Sequence, residues 1–262
     1  MMDQFATQFG PAALVTGASS GIGAAFAEEL AARGLDLVIT ARRRDRLDDL
    51  AWRLRADHRV SVTIIESDLA DFAAPGDLAA AMRDIDIGLV VSNAGFGMKG
   101  PHEANDAAAM RDMLAVNCHA PMQLAHAFLP RLKARGKGGI IVTASVEGLI
   151  GCPYSTAYSA TKALVVALGE GLWGECQGSG VDVVTVCPGA TESEAAANQG
   201  IDIAKLRDVM PARDVAAAAL DALGDGPTFF PSAVYKASFD TLLAMDRRDA
   251  LRAMAHGMRT SS

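Results

Sequence analysis

Tyr158 and Lys162 stand four residues apart in a stretch that begins at Ser145 and lies between a run of β-branched residues and a helical pattern. On a helix this spacing puts both side chains on one face, where their polar ends can meet. A phenol with an ordinary pKa near ~10 is a poor acid or base at neutral pH, and a neighbouring ammonium favours its anion and moves it toward a useful range. The pair is therefore a candidate proton donor or acceptor. The YxxxK spacing also arises by chance, so the reading depends on the elements around it. Tyr154 is the rival tyrosine, but the residue four places after it is Tyr158 and not a lysine.

The elements that must hold such a helix follow from the apolar pattern. Residues 12–15 are a short apolar run ending in a Gly/Ser turn, and Ile22, Phe26 and Leu30 follow at helical spacing, which predicts strand, turn and a helix closed by Gly34. Residues 35–40 predict a second strand, Leu47, Leu50 and Leu54 a second amphipathic helix, and residues 60–65 a third strand. After Asp68, a short helix around Leu78 and Met82 leads to a buried-type strand at 85–91, which ends at Asn93-Ala94-Gly95. A long helix over 105–135, interrupted near Pro121 and stopped at 136–139, precedes a strand at 140–142 that runs into Ser145.

Residues 157–177 then carry the helical pattern of Tyr158 and Lys162, and 181–186 predict a sixth strand broken by Cys187-Pro188-Gly189. Residues 228–231 supply a last strand, and a helix from about Ser238 bears a partial apolar stripe of Leu242, Met245, Leu251 and Met254, read as a packing or subunit element. Alternation of this kind gives right-handed βαβ units and a parallel sheet covered on both faces. The expected class is a doubly wound α/β fold in one domain over residues 1–262, with a nucleotide half to about 145 and a catalytic and substrate half from about 146.

Composition narrows the function. Of 262 residues, 50% are hydrophobic and 21% charged, and the net charge of −7 leaves no electrostatic footprint for nucleic acid. The apolar runs are short, such as 163–168, and none approaches the roughly 18 residues of a membrane span. The first ten residues have neither a basic n-region nor an apolar h-region, so a cytosolic protein is expected. Cys118, Cys152, Cys176 and Cys187 show no CxxC spacing and read as reduced core residues, and the five histidines form no metal-ligand pattern, so no metal is expected.

The second constellation is the turn Thr16-Gly17-Ala18-Ser19-Ser20-Gly21-Ile22-Gly23, which follows a predicted strand and opens a helix. Small residues let the backbone approach a pyrophosphate, and the helix N-terminus offers unpaired N–H groups and a positive dipole end. About twenty residues on, where an NAD-binding fold places an acidic group, the chain has Arg42-Arg43-Arg44. Guanidinium forks suit a 2′-phosphate, so NADP(H) is preferred, with Arg42, nearest the strand end, as first choice and Arg43 next. Asp45 keeps NAD(H) possible.

These motifs together resemble the short-chain dehydrogenase/reductase family. The resemblance rests on TGASSGIG at 16–23, Asp68-Leu69, Asn93-Ala94-Gly95, Asn117, Ser145, Tyr158 with Lys162, and Pro188-Gly189, all in the family's order over about the first three quarters of the chain. It implies a Rossmann-type fold and hydride transfer between a nicotinamide cofactor and a carbonyl or alcohol. Tyr158 would be the general acid or base, Lys162 would lower its pKa and hold the nicotinamide ribose, Ser145 would orient the substrate oxygen, and Asn117 would position a water. Gly17, Ser19, Ser20, Gly21, Ile22 and Gly23 would cradle the pyrophosphate, Asp68 and Leu69 the adenine, and Asn93, Ala94 and Gly95 the adenosine ribose region. Pro188, Gly189 and Thr191 would flank the nicotinamide.

Ser20 departs from the pattern, because many NADP-preferring members carry a basic residue there, and the stretch 192–210, where members place a substrate lid, has no large aromatic to name a substrate. Ser155 and Ser159 lie inside the tyrosine motif rather than at the family's serine position. The expected activity is NADPH-dependent reduction of a ketone or aldehyde by a homodimer or homotetramer built on the long helices. A non-catalytic NADP-binding scaffold or sensor, or an epimerase or dehydratase reusing the YxxxK pair, would share the fold.

Overall fold

Strands whose residues are apolar on both faces must be covered on both faces, and that is how this chain folds. The structure, a computed structural model, describes residues 4–194 and 206–260. Strands β1 (Ala12–Thr16), β2 (Asp36–Ala41), β3 (Val62–Glu66), β4 (Ile87–Ser92), β5 (Gly138–Thr143), β6 (Val181–Val186) and β7 (Thr228–Phe229) form one parallel sheet in the order β3-β2-β1-β4-β5-β6-β7. The chain runs outward from β1 to β3, then returns to the other side of β1 at β4. Loops leaving β1 and β4 therefore diverge, and a crevice opens at the carboxyl ends of these strands.

The helices are α1 (Gln4–Phe9), α2 (Gly21–Ala32), α3 (Arg44–His58), α4 (Ala74–Ala81), α5 (Ala107–Leu114), α6 (Ala120–Arg135), α7 (Thr156–Cys176), α8 (Ala212–Asp221), α9 (Ala233–Ala244) and α10 (Arg247–Thr260). Alternate residues of each strand feed two separate cores. Ala13, Val15, Leu37, Ile39, Val91 and Val184 pack with α2, α3 and α8, whereas Leu14, Val38, Val90, Ile140, Val142 and Val183 pack with α4, α6, α7, α9 and α10. All four cysteines are buried free thiols. Among the described residues, no helix is long and apolar enough to cross a membrane.

Three expectations change in detail. The helix over 105–135 is two α-helices joined by a π-helical turn at Ala115–His119. Pro121 has no N–H for the carbonyl of Asn117, its i−4 partner, so the regular ladder cannot continue there. The last strand is limited to Thr228–Phe229, and the helix expected from Ser238 begins at Ala233, because the Ser232 hydroxyl accepts from the Tyr235 N–H (3.0 Å) and caps it. Extended backbone at Met245 then breaks the stripe into two helices. The helix-forming patch at 195–197 lies outside the described residues.

Candidate active site

Tyr158 and Lys162 sit in the first two turns of α7, with the Lys162 ammonium 5.7 Å from the Tyr158 ring centre. Nζ donates to the Thr143 carbonyl at the end of β5 (2.8 Å), which aims it at the crevice floor. Burial pulls the Lys162 pKa down to about 8, against the buried Cys118 and Cys187 thiols, which act the other way. The Tyr158 phenol moves upward, first through burial and then through the Glu147 carboxylate, while a hydrogen bond with Ser145 opposes both. Spacing alone suggested that the ammonium would lower this phenol. Burial and the Glu147 carboxylate dominate instead, and the Tyr158 phenol is protonated at neutral pH.

Ser145 leaves β5 in extended backbone and caps the short 3₁₀ turn Val146–Gly148, its hydroxyl accepting from the Glu147 N–H (3.2 Å). Asn117 occupies the π turn. Its Oδ1 accepts from Phe96 N–H (3.0 Å), and its Nδ2 donates to Phe96 O (2.9 Å) and Thr161 Oγ1 (3.0 Å), so the loop after β4 is tied to the helix that carries Lys162. Gly95 passes between them. A Cβ there would lie 3.1 Å from Asn117 Oδ1 and 3.2 Å from Lys162 Nζ, so only glycine lets the backbone through undisturbed.

The glycine-rich turn is fixed from β4. Thr16 Oγ1 accepts from the N–H groups of Asn93 and Ala94 (both 3.0 Å), and Asn93 Nδ2 donates to Thr16 O (3.2 Å). Gly17 has φ +68°, and a Cβ on it would stand 2.8 Å from the Ala94 Cα. Ser20 makes no cap hydrogen bond to α2, so among the described residues no side chain caps the first N–H groups of that helix, which begins at the crevice. Gly23 is buried where α2 packs on the turn. These features fit a dinucleotide pyrophosphate.

Arg43 reaches across the same turn. Its Nη2 donates to Ser20 Oγ (2.8 Å) and Ser19 Oγ (3.1 Å), and its Nη1 to Glu194 Oε2 (2.7 Å). A basic group thus stands beside Ser20, supplied from the end of β2 rather than by residue 20 itself. Arg42, the first choice from sequence, is exposed and makes no hydrogen bond to the turn.

One cleft of about 800 Å³ joins these parts. Of the sequence-predicted residues, Gly17, Ser20, Gly21, Ile22, Asn93, Ala94, Gly95, Ser145, Tyr158, Lys162, Pro188, Gly189 and Thr191 line it, whereas Ser19, Gly23, Arg42, Arg43, Asp68, Leu69 and Asn117 do not. Asp68 accepts from the Ala70 N–H (3.1 Å) in a local turn, and Leu69 is buried in the core. The stretch 192–210 starts and ends beside Pro188-Gly189, with Glu192 N–H donating to Met210 O (2.9 Å) and Met210 N–H to Ala190 O (3.0 Å). Residues 195–205 of that expected lid lie outside the described residues.

Sequence reasoning missed the far wall. Tyr235, Phe239 and Leu242 of α9 and Met254 and Met258 of α10 add an apolar stretch to the cleft lining, with Tyr235 packed against Gly189. The stripe of Leu242 and Met254 was the available signal, but a stripe does not say which surface it covers. Also missed was a polar brace in which Lys99 Nζ donates to Glu147 Oε1 (2.7 Å) and Ser155 Oγ (3.1 Å), with the Ser155 hydroxyl donating to the other carboxylate oxygen. It joins the loops after β4 and β5 to the start of α7.

A family model described as short chain dehydrogenase matches residues 11–203. The chain is 29% identical over 248 residues to a 7beta-hydroxysteroid dehydrogenase of Clostridium sardiniense, covering 94% of this chain and 95% of that one. Among solved structures it superposes on a short-chain dehydrogenase from Sphingobium yanoikuyae in complex with NADPH, with 36% identity, a TM-score of 0.81 and coverage of 93% and 95% of the two chains. A bulky-bulky ketone specific alcohol dehydrogenase from Comamonas testosteroni gives 34% identity, a TM-score of 0.75 and coverage of 93% and 94%.

Proposed function

The chain belongs to the short-chain dehydrogenase family, and from that premise we propose that it reduces a ketone to an alcohol with NADPH, accepting NADH less well. The observation that carries this reading is the meeting of Ser145, Tyr158 and Lys162 with the glycine-rich turn along one cleft. The cofactor, when bound, supplies the hydride for the carbonyl carbon.

The chain's own residues do the rest. Tyr158 donates its phenolic proton to the carbonyl oxygen as negative charge grows there, so the carbonyl gains one hydride and one proton. Ser145, bonded to that phenol, turns its hydroxyl to the same oxygen and stabilises the developing charge. Lys162, still largely charged at pH 7, steadies the phenolate left behind and holds the ribose of the nucleotide. Asn117 keeps the loop after β4 docked on α7 and so fixes Lys162. Arg43 with Ser19 and Ser20 receives the 2′-phosphate, which supports NADP(H) over NAD(H), and Arg42 serves as an outer cation. Asp68 and Leu69 border the adenine.

The wall of Tyr235, Phe239, Leu242, Met254 and Met258 favours a bulky, ring-sized apolar ketone, in keeping with the named substrates of the hydroxysteroid and bulky-ketone relatives. Exposed Leu114, Met122 and Leu164 on α5, α6 and α7 support pairing with a second copy as a homodimer or homotetramer. The test is loss of NADPH absorbance against a panel running from small aldehydes to steroid-sized ketones. Tyr158→Phe should lower kcat by about 10²- to 10⁴-fold with NADPH affinity unchanged. Tight nucleotide binding with no turnover anywhere in the panel would sink the reductase reading.

A further inference from the structure

Arg43 does not stand free at the mouth of the dinucleotide crevice. Its Nη2 spans Ser19 and Ser20, its Nη1 is taken by the Glu194 carboxylate at 2.7 Å, and Arg46 stands 3.9 Å from the other carboxylate oxygen. The hydrogen bond from Arg43, with a further one from Ser20, holds the Glu194 carboxyl below the usual range, so it is an anion throughout the neutral region. The backbone just before it crosses the turn, and a Cβ on Gly21 would lie only 3.1 Å from the Ser193 Cβ. An anion carried by residues 191–194 is thus seated on the one guanidinium that spans Ser19 and Ser20.

We propose that Glu194 sets the balance between the two nicotinamide dinucleotides by occupying the guanidinium edge that a 2′-phosphate would take, so that NADP(H) must displace it and NAD(H) need not. This rests on the assignment of Arg43 to the 2′-phosphate. A planar guanidinium offers its donors in fixed directions, and the Nη1 edge that engages Glu194 cannot also engage a phosphate oxygen at full strength. The phosphate brings more negative charge than a carboxylate and wins the exchange, but its net gain is reduced by the bridge it breaks. A dinucleotide ending in a 2′-hydroxyl leaves the Arg43–Glu194 bridge in place. Discrimination in the wild type is accordingly shallower than three consecutive arginines suggest.

Both side chains of the bridge are more than 40% exposed, at 42% and 43%, so water screens the pair and its removal has a bounded effect. Titration calorimetry of NADP⁺ and NAD⁺ at pH 7.5, with no substrate or turnover, measures it. Glu194→Gln should tighten NADP⁺ by roughly two- to five-fold, the scale of an exposed ion pair, and leave NAD⁺ unchanged. Equal tightening of both nucleotides, or no tightening of NADP⁺, overturns the role of Glu194. Arg43→Ala run beside it separates the two ideas. It should weaken NADP⁺ by about ten-fold and NAD⁺ little, in line with loss of a charged hydrogen bond. If instead Arg43→Ala leaves NADP⁺ untouched, the phosphate assignment itself fails, together with the competition built on it.

Discussion

The two walls of the cleft are built in opposite ways. The nucleotide wall comes from backbone at the carboxyl ends of β1 and β4, where Gly17 lies against Ala94 and Thr16 gathers the N–H groups of Asn93 and Ala94. The facing wall is made of side chains, Tyr235, Phe239, Leu242 and Met254, on two helices more than 200 residues along the chain. Backbone geometry tolerates little, because a shift of one atom closes the turn, whereas an apolar wall can lose a methylene or a sulfur and still exclude water. In the proposed reductase, one wall recognises the dinucleotide and the other can vary its substrate without disturbing the first.

Changes on each wall should therefore fail differently. Gly17→Ala should have the largest effect. The added Cβ meets backbone at a positive φ, so NADP⁺ affinity should fall by about thirty-fold or more, equivalent to roughly 2 kcal/mol, in a calorimetric titration. Near-normal binding would mean that the turn is softer than the contact implies. Met254→Ala on the far wall should raise KM for a ring-sized ketone about five-fold while kcat and the KM for NADPH stay within two-fold, a pattern of lost uniform binding. A fall in kcat instead would show that this wall takes part in aligning the reacting carbonyl.

The smallest effect concerns the floor between the walls. Lys162 loses its proton at about 8 in the folded chain and near its ordinary 10.5 when unfolded. Between these values the unfolded state holds more protons at this residue, so the Lys162 contribution to stability should rise from pH 8 toward pH 10 and be least favourable below that window. The buried Cys118, Cys152, Cys176 and Cys187 thiols, raised by burial, act in the opposite sense in the same window. The Lys162 contribution is therefore the difference in urea midpoint between wild type and Lys162→Met, which should move in favour of the wild type from pH 7.5 to pH 9.5. Above pH 10 the buried Tyr158 phenol, whose pKa is raised, acts in the opposite sense and ends the gain.

The nucleotide wall was legible in the sequence because its parts are contiguous and each residue type answers a local demand. Glycines at 17, 21 and 23 mark a turn that must bend sharply between strand and helix, and Tyr158 and Lys162 share a face through the helical repeat alone. The polarity of Asn117 and its nearness to Pro121 were legible too, although the π turn that displays it required the helix to be seen. Spacing ranked Arg42 ahead of Arg43, whereas Arg43 is the one that reaches Ser19 and Ser20, because the reach depends on which way the chain leaves β2. The Lys99–Glu147–Ser155 brace joins the loop after β4 to the connection between β5 and α7, two segments that only the sheet order brings together.

By itself, the sequence determined the doubly wound class, the glycine-rich turn between strand and helix and the shared helical face of Tyr158 and Lys162, because periodicity, glycine spacing and the helical repeat are local properties of the chain. Tertiary structure decided the rest. It set the direction of the Tyr158 pKa, because burial and the nearby Glu147 carboxylate raise it. It also turned the α9 and α10 stripe into a cleft wall and seated Glu194 on Arg43, since which surfaces meet across some 150 residues depends on how layers pack and not on any pattern within one of them.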